Sequence, residues 1–160
     1  MITVELIVLG NLKERFLNDG CNEYIKRLGR YCKIKITELS ECAIGDRPSD
    51  REIEICLKKE ADQINKKLSA GSKKIVLCIE GIQKSSEQLA SYIKNEAVGG
   101  VSHIQLIVGS SHGLSEKIKK TADLKLSISQ MTFPHQLMRL ILLEQIYRAF
   151  SINANSKYHK

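Results

Sequence analysis

Residues 127–150, SISQMTFPHQLMRLILLEQIYRAF, restrict the possible folds more than any other part of the chain. The stretch begins inside a strand pattern, with Leu124, Leu126 and Ile128 alternating against Lys125, Ser127 and Ser129. It breaks at QMTFP. Pro134 suits a first helical turn and no interior one, so a helix is predicted to start there. That helix carries Leu137, Met138, Leu140, Ile141, Leu142, Leu143, Ile146, Tyr147, Ala149 and Phe150, which is too apolar for a helix with one face in water. Its polar residues fall in two pairs spaced by four, His135 with Arg139 and Glu144 with Arg148. A helix apolar nearly all round must be buried on both sides, and it is expected to form the core of a dimer interface.

The remaining chain alternates strand and helix patterns. Ile2, Val4, Leu6 and Val8 mark a first strand over 2–8, and Leu12 to Leu28 follow helical spacing up to Gly29. KIKITEL over 33–39 is a second strand, followed by a polar loop, ECAIGDRPSD. Ser49-Asp50-Arg51-Glu52 is a capping box for a helix that residues 70–72 should end. Residues 75–79 form a continuous apolar run, as in a central parallel strand, ending at Glu80-Gly81. Ser85 and Ser86 offer an N-cap for a helix closed by Gly99-Gly100. A fourth strand spans 103–108, a glycine-bounded loop spans 109–113, and a short helix runs from Ser115 toward Thr121. About five such units imply an α/β fold, a parallel sheet with helices on both faces. Ligands of such sheets bind beyond the carboxyl ends of the strands. Three loops qualify by composition: Glu80-Gly81, 109–113 and 129–133.

A chain of 160 residues is about one domain. It has no apolar run of about 18 residues, so no membrane span is expected, and MITVELIVLG lacks the basic start of a signal peptide. Five cysteines without a CxxC pair read as reduced thiols in a cytoplasm. No histidine has zinc-ligand spacing, so no metal is expected. VLGNLKERF after the first strand has one glycine and is no dinucleotide fingerprint, GSSHG lacks the GK[ST] of a P-loop, and GxSxG is absent. The net charge of +7 is uneven. Residues 1–35 hold +3, residues 36–96 hold −1 and residues 97–160 hold +5. Such a surface suits nucleic acid, or is simply basic and inert.

Residues 127–150 match SxSxMTFPHQxxRxxLxEQxYRAF, and with the final Tyr158-His159 the chain resembles the ribosomal RNA large subunit methyltransferase H family of SPOUT methyltransferases. The resemblance extends to 8–13, to the strand ending at Gly81 with Ser85-Ser86-Glu87 behind it, and to Val108-Gly109 with Gly113. It implies one SPOUT domain over 1–160, a C-terminal trefoil knot, a homodimer and a cytoplasmic enzyme. It also implies S-adenosyl-L-methionine as cofactor, and methylation of N3 of a pseudouridine in 23S rRNA on the assembled ribosome. By the family pattern the cofactor lies against Leu77, Gly109 and the loop Ile128, Ser129, Gln130, Met131, Thr132 and Phe133. Two departures stand out: Ser110 replaces a second glycine, and Lys157 replaces a proline before the final tyrosine.

The chemistry asks for little else. Adenine is flat and apolar, and backbone groups in a slot can read it. The sulfonium is the cofactor's own chemistry, and the protein orients it. The proton on N3 must leave, which calls for a base or for stabilisation of an anion. His159 and Tyr158 are the candidates, with Arg148 as the nearby cation. Arg139 contacts RNA phosphate or pairs within the dimer, and His135 is structural at the helix start. Two other readings stand beside this one: a SPOUT methyltransferase acting on another RNA such as tRNA, and a non-catalytic ribosome-binding protein.

Overall fold

The computed structural model describes residues 1–158. Its elements run β1 (Thr3–Leu9), α1 (Arg15–Leu28), β2 (Lys33–Leu39), α2 (Asp50–Asn65), β3 (Lys73–Gln83), α3 (Ser86–Val98), β4 (His103–Ile107), α4 (Glu116–Lys119), β5 (Leu124–Ser127) and α5 (His135–Asn153). The strands form one sheet in the order β2-β1-β4-β3-β5, with every pairing parallel. Val4, Leu6, Val8, Ile104 and Leu106 meet α1, α3 and α5 on one face, while Ile7, Leu9, Val76 and Ile107 meet α2 and α4 on the other. Covering both faces is why these strands read as unbroken apolar runs.

Helix starts follow the local chemistry. Ser49 with Glu52, and Ser85 with Gln88, both close reciprocal capping boxes. Pro134 sits in the N-cap position, so α5 begins one residue later at His135. The second helix stops at Asn65 rather than at residues 70–72, and Gly71 instead takes a left-handed turn (φ +76°) that leads into β3.

Two expectations are corrected, and a third gains an intrachain explanation. The third strand does not end at Glu80-Gly81. Leu126 of β5 pairs with both Leu77 and Ile82, so β3 resumes after bulging out over 78–81. The cysteines are not all free: Cys42 and Cys56 form a disulfide, because the polar loop folds back onto α2 and brings their Cα atoms to 5.4 Å. Finally, the two sides of α5 are covered largely by its own chain. It lies between α1 and α3 on the sheet, with Leu142, Leu143 and Ile146 fully buried, and Leu140 packs where Gly20 leaves room on α1. Its all-round apolarity therefore follows from three intrachain neighbours and does not by itself require a second subunit.

Near the amino ends of the strands, α2 has stopped and the sheet face turns polar. Glu5, 2% exposed, accepts from Thr37, Gln105 and Lys35, and His103 Nε2 lies 3.1 Å from it. Burial opposes its ionisation. The hydrogen bonds from Lys35, Thr37 and Gln105 outweigh that and hold the carboxyl at about 2 rather than 4.5. A depressed carboxylate contributes stability that is full above its unfolded pKa and is lost as pH falls through the folded one. The shift corresponds to on the order of 3 kcal/mol. Glu5→Gln is expected to lower the melting temperature clearly at pH 7, with the gap to the parent closing between about pH 4.5 and 2. Thermal melts across that window check it.

Candidate functional site

Strand order places β3 between β4 and β5, so the loops that leave all three converge at one edge of the sheet. They enclose a pocket of about 360 Å³. Leu77, Val108, Leu126 and Ile128 give it an apolar floor, and 109–113 and 129–133 stand as its two walls. Of the sequence-derived cofactor candidates, Leu77, Gly109, Ile128, Ser129, Met131, Thr132 and Phe133 line this pocket, while Gln130 does not. Within the second wall, Ser127 Oγ donates to the Ser129 carbonyl and the Met131 amide donates to Ser129 Oγ. These local bonds bend the strand away from the sheet before the helix begins.

Two glycines let backbone approach backbone here. A Cβ on Gly81 would lie 2.7 Å from the carbonyl carbon of Leu126, so the bulge of β3 passes directly over β5. A Cβ on Gly109 would strike the carbonyl of Gly113 and lie 2.9 Å from Leu114 Cγ. Gly109 thus permits the closure of its own loop rather than holding open space for a ligand. Ser110, which stands where the family pattern has a second glycine, has no positive φ. Its hydroxyl instead turns away to Glu60 Oε2, at 2.9 Å.

The pocket also holds groups that sequence patterns did not single out. Lys119 on α4 pairs with Glu80 at 2.5 Å and with Glu116 at 3.3 Å, the hydrogen bond to Glu80 raising the lysine's pKa and lowering the carboxyl's. No motif contains this pair; it exists because the β3 bulge meets a four-residue helix. His135, a lining residue, has its buried Nε2 3.5 Å from Glu41 Oε2, in keeping with a structural place at the helix start. Arg139 corrects an expectation. It is 2% exposed, donates to the Gly10 carbonyl at 2.9 Å and lies 3.6 Å from Glu38, so it ties α5 to the ends of β1 and β2 instead of reaching RNA or a partner.

The match is full-length. A family model described as "Predicted SPOUT methyltransferase" fits residues 2–159. A protein named ribosomal RNA large subunit methyltransferase H from Bifidobacterium adolescentis is 50% identical over 157 residues, 98% of this chain and 99% of its own length. Its namesake from Lactococcus lactis subsp. cremoris is 45% identical with the same coverage. This chain belongs to the ribosomal RNA large subunit methyltransferase H family, within the SPOUT methyltransferases. A solved structure of a probable methylase family protein from Haemophilus influenzae shares the fold, with a TM-score of 0.54 at 13% identity over 99% of this chain and 70% of that one.

The family's other motif residues lie apart from the pocket. Arg148 binds Glu144 at 2.5 Å and its guanidinium carbon is 4.8 Å from the Tyr158 ring centroid. The Tyr158 hydroxyl donates to Glu144 at 3.1 Å and lies 3.2 Å from that of Tyr24 on α1. Burial first, then Tyr24 and Glu144, push the Tyr158 phenol well up, so it stays protonated and acts as a donor rather than a base. His159 lies outside the described residues. Met138 lines the pocket but Arg148, ten residues later, sits about 15 Å along the helix axis. One chain alone therefore does not bring Arg148 and Tyr158 to the pocket.

Gly109→Ala and Gly81→Ala are each expected to cost about 1–3 kcal/mol by forcing backbones apart. Gly45→Ala, with nothing within 4 Å, should cost almost nothing. Chemical denaturation of the three variants makes the comparison.

Proposed function

We propose that this enzyme transfers a methyl group from S-adenosyl-L-methionine to N3 of a pseudouridine in 23S rRNA on the assembled ribosome, as a cytoplasmic homodimer. The observation that carries the cofactor assignment is the pocket itself. It has an apolar floor for a flat base, wall backbones exposed at strand ends, and one charged pair, Glu80 with Lys119, for a ligand that ends in an amino acid. When bound, the cofactor supplies an electrophilic methyl on sulfur. The loops 109–113 and 128–133 fix its direction, and Leu77 and Ile128 exclude water from the base.

Three features support the dimer. Arg148 and Tyr158 are held rigidly but away from their own pocket, so a second subunit is what brings them to a bound nucleotide. Ile79, Ile82 and Met131 are 70%, 63% and 76% exposed around the pocket side of the β3 bulge, an apolar patch fit for such a contact. And one chain of 160 residues offers limited surface for recognising a stem-loop. In that arrangement Arg148 stabilises the anion as the N3 proton leaves, Tyr158 donates a hydrogen bond, and His159 takes the proton. The close passage of 78–81 over β5 supports reading the chain as one SPOUT domain over 1–160 with a trefoil knot.

The basic excess at the two chain ends supports an RNA-facing surface, because α1 and the tail touch. Arg27 lies 5.6 Å from the Tyr24 ring and 5.9 Å from the Tyr147 ring, beside Tyr158. Methyl transfer to whole ribosomes tests the reading. Binding should weaken steeply with salt, and Arg27→Glu with Arg30→Glu should weaken ribosome binding without changing cofactor affinity. His159→Ala should cut turnover at least about tenfold, since a positioned base contributes roughly 10²–10⁴. Full turnover after deletion of 158–160 refutes the roles of Tyr158 and His159. Transfer to free tRNA but not to ribosomes would favour a different RNA, and a monomer by light scattering rules out the shared site.

A further inference from the structure

Glu60 is a buried carboxylate that neither the motifs nor the proposed chemistry uses. It projects from α2, is 3% exposed, and forms no ion pair with a cation among the described residues. Its two oxygens go to two different loops. Oε1 accepts from the Cys42 amide at 3.0 Å, and Oε2 accepts from the Ser110 hydroxyl at 2.9 Å. Ser110 is itself 8% exposed, and its carbonyl accepts from the Gly113 amide at 2.9 Å, which closes the turn carrying Ser111 and His112 into the pocket wall. On the other side, Cys42 is bonded to Cys56, one helical turn before Glu60, and its neighbour Glu41 faces His135 of the pocket. A buried carboxylate without a counter-ion is a poor choice for packing alone, where an apolar side chain would stabilise more.

We propose that Glu60 is a positioning residue for the cofactor pocket, setting the 109–113 wall through Ser110 and tying it to the 40–42 loop through the Cys42 amide. The side chain at Ser110, where the family pattern has glycine, supplies the hydroxyl this joint needs. The inference rests on the cofactor reading given above.

The test is calorimetric titration of S-adenosylhomocysteine into the parent, Glu60→Ala, Glu60→Gln, Ser110→Ala and the Glu60→Ala/Ser110→Ala double variant. Thermal melts and ribosome methylation kinetics are run on each. Ser110→Ala removes one hydroxyl and is expected to keep the fold, which its thermal melt checks. Each single alanine variant is expected to weaken binding on the order of tenfold, as for a hydrogen bond to a charged group. The double variant should lose little more than Glu60→Ala, since Ser110 acts through its bond to Glu60. Glu60→Gln, which keeps an acceptor, should recover part of the loss. The KM for the cofactor should rise while kcat at saturation and the KM for ribosomes stay near parental values. Glu5→Gln, a stability control at the other end of the sheet, should lower the melting temperature without changing affinity. Parental affinity in Ser110→Ala and Glu60→Ala, or additive losses in the double variant, overturns the proposal. Absence of binding by the parent protein overturns the cofactor reading beneath it.

Discussion

Parallel strands cannot be joined by tight turns. Each must be followed by a crossover long enough to return to the starting edge, and here the crossovers are mostly helices. The geometry sends every strand's carboxyl end to one edge and covers both faces of the sheet with helices. Most of what distinguishes this molecule follows from that requirement. The cores on the two faces are apolar because nothing else fits between sheet and helix, and function is left to the edge where loops emerge. The edge becomes a pocket because β3 lies between β4 and β5 and does not stop cleanly. Its four-residue bulge gives the floor a polar side and puts a carboxylate beside a lysine from α4.

Energetically the pocket is held from outside itself. Gly81 and Gly109 remove side chains where backbones cross, Arg139 fastens α5 to the end of β1, and Glu60 fastens α2 to two loops. Each of these is a buried polar or close-packed contact whose loss leaves a group unsatisfied or a backbone displaced, and such losses cost more than the contact's own net worth. The walls are therefore set by their supports, and the lining residues need not be chemically unusual.

Much of this was legible in the sequence. Strand and helix order, the capping box at Ser49, the N-cap at Ser85 and the start of α5 come from short-range chemistry, and the pattern 127–150 carried the family with it. What was not legible depends on distant partners. The continuation of β3 past Gly81 is set by β5, more than forty residues later, and no local signal marks it. The apolarity of α5 gives its burial but not the identity of what buries it; α1 and α3 do most of that. The burial of Arg139 and Glu60 has no local signal, because it is decided by loops from other units. The Cys42–Cys56 pair was missed for the same reason, since spacing alone did not show the polar loop folding back on the helix.

The strand order also bears on how the molecule comes into being. β4 lies between β1 and β3, so the two earlier strands have no contact along the sheet until the chain has been made past residue 107. The pocket is later still, because its floor and one wall come from β5 and the turn into α5. A nascent chain lacks this pocket until the turn into α5 has emerged, by which point all five strands have been made. Contacts of such long sequence separation slow folding, and the pocket can close only after β4 has joined β1 to β3 and β5 has paired with β3.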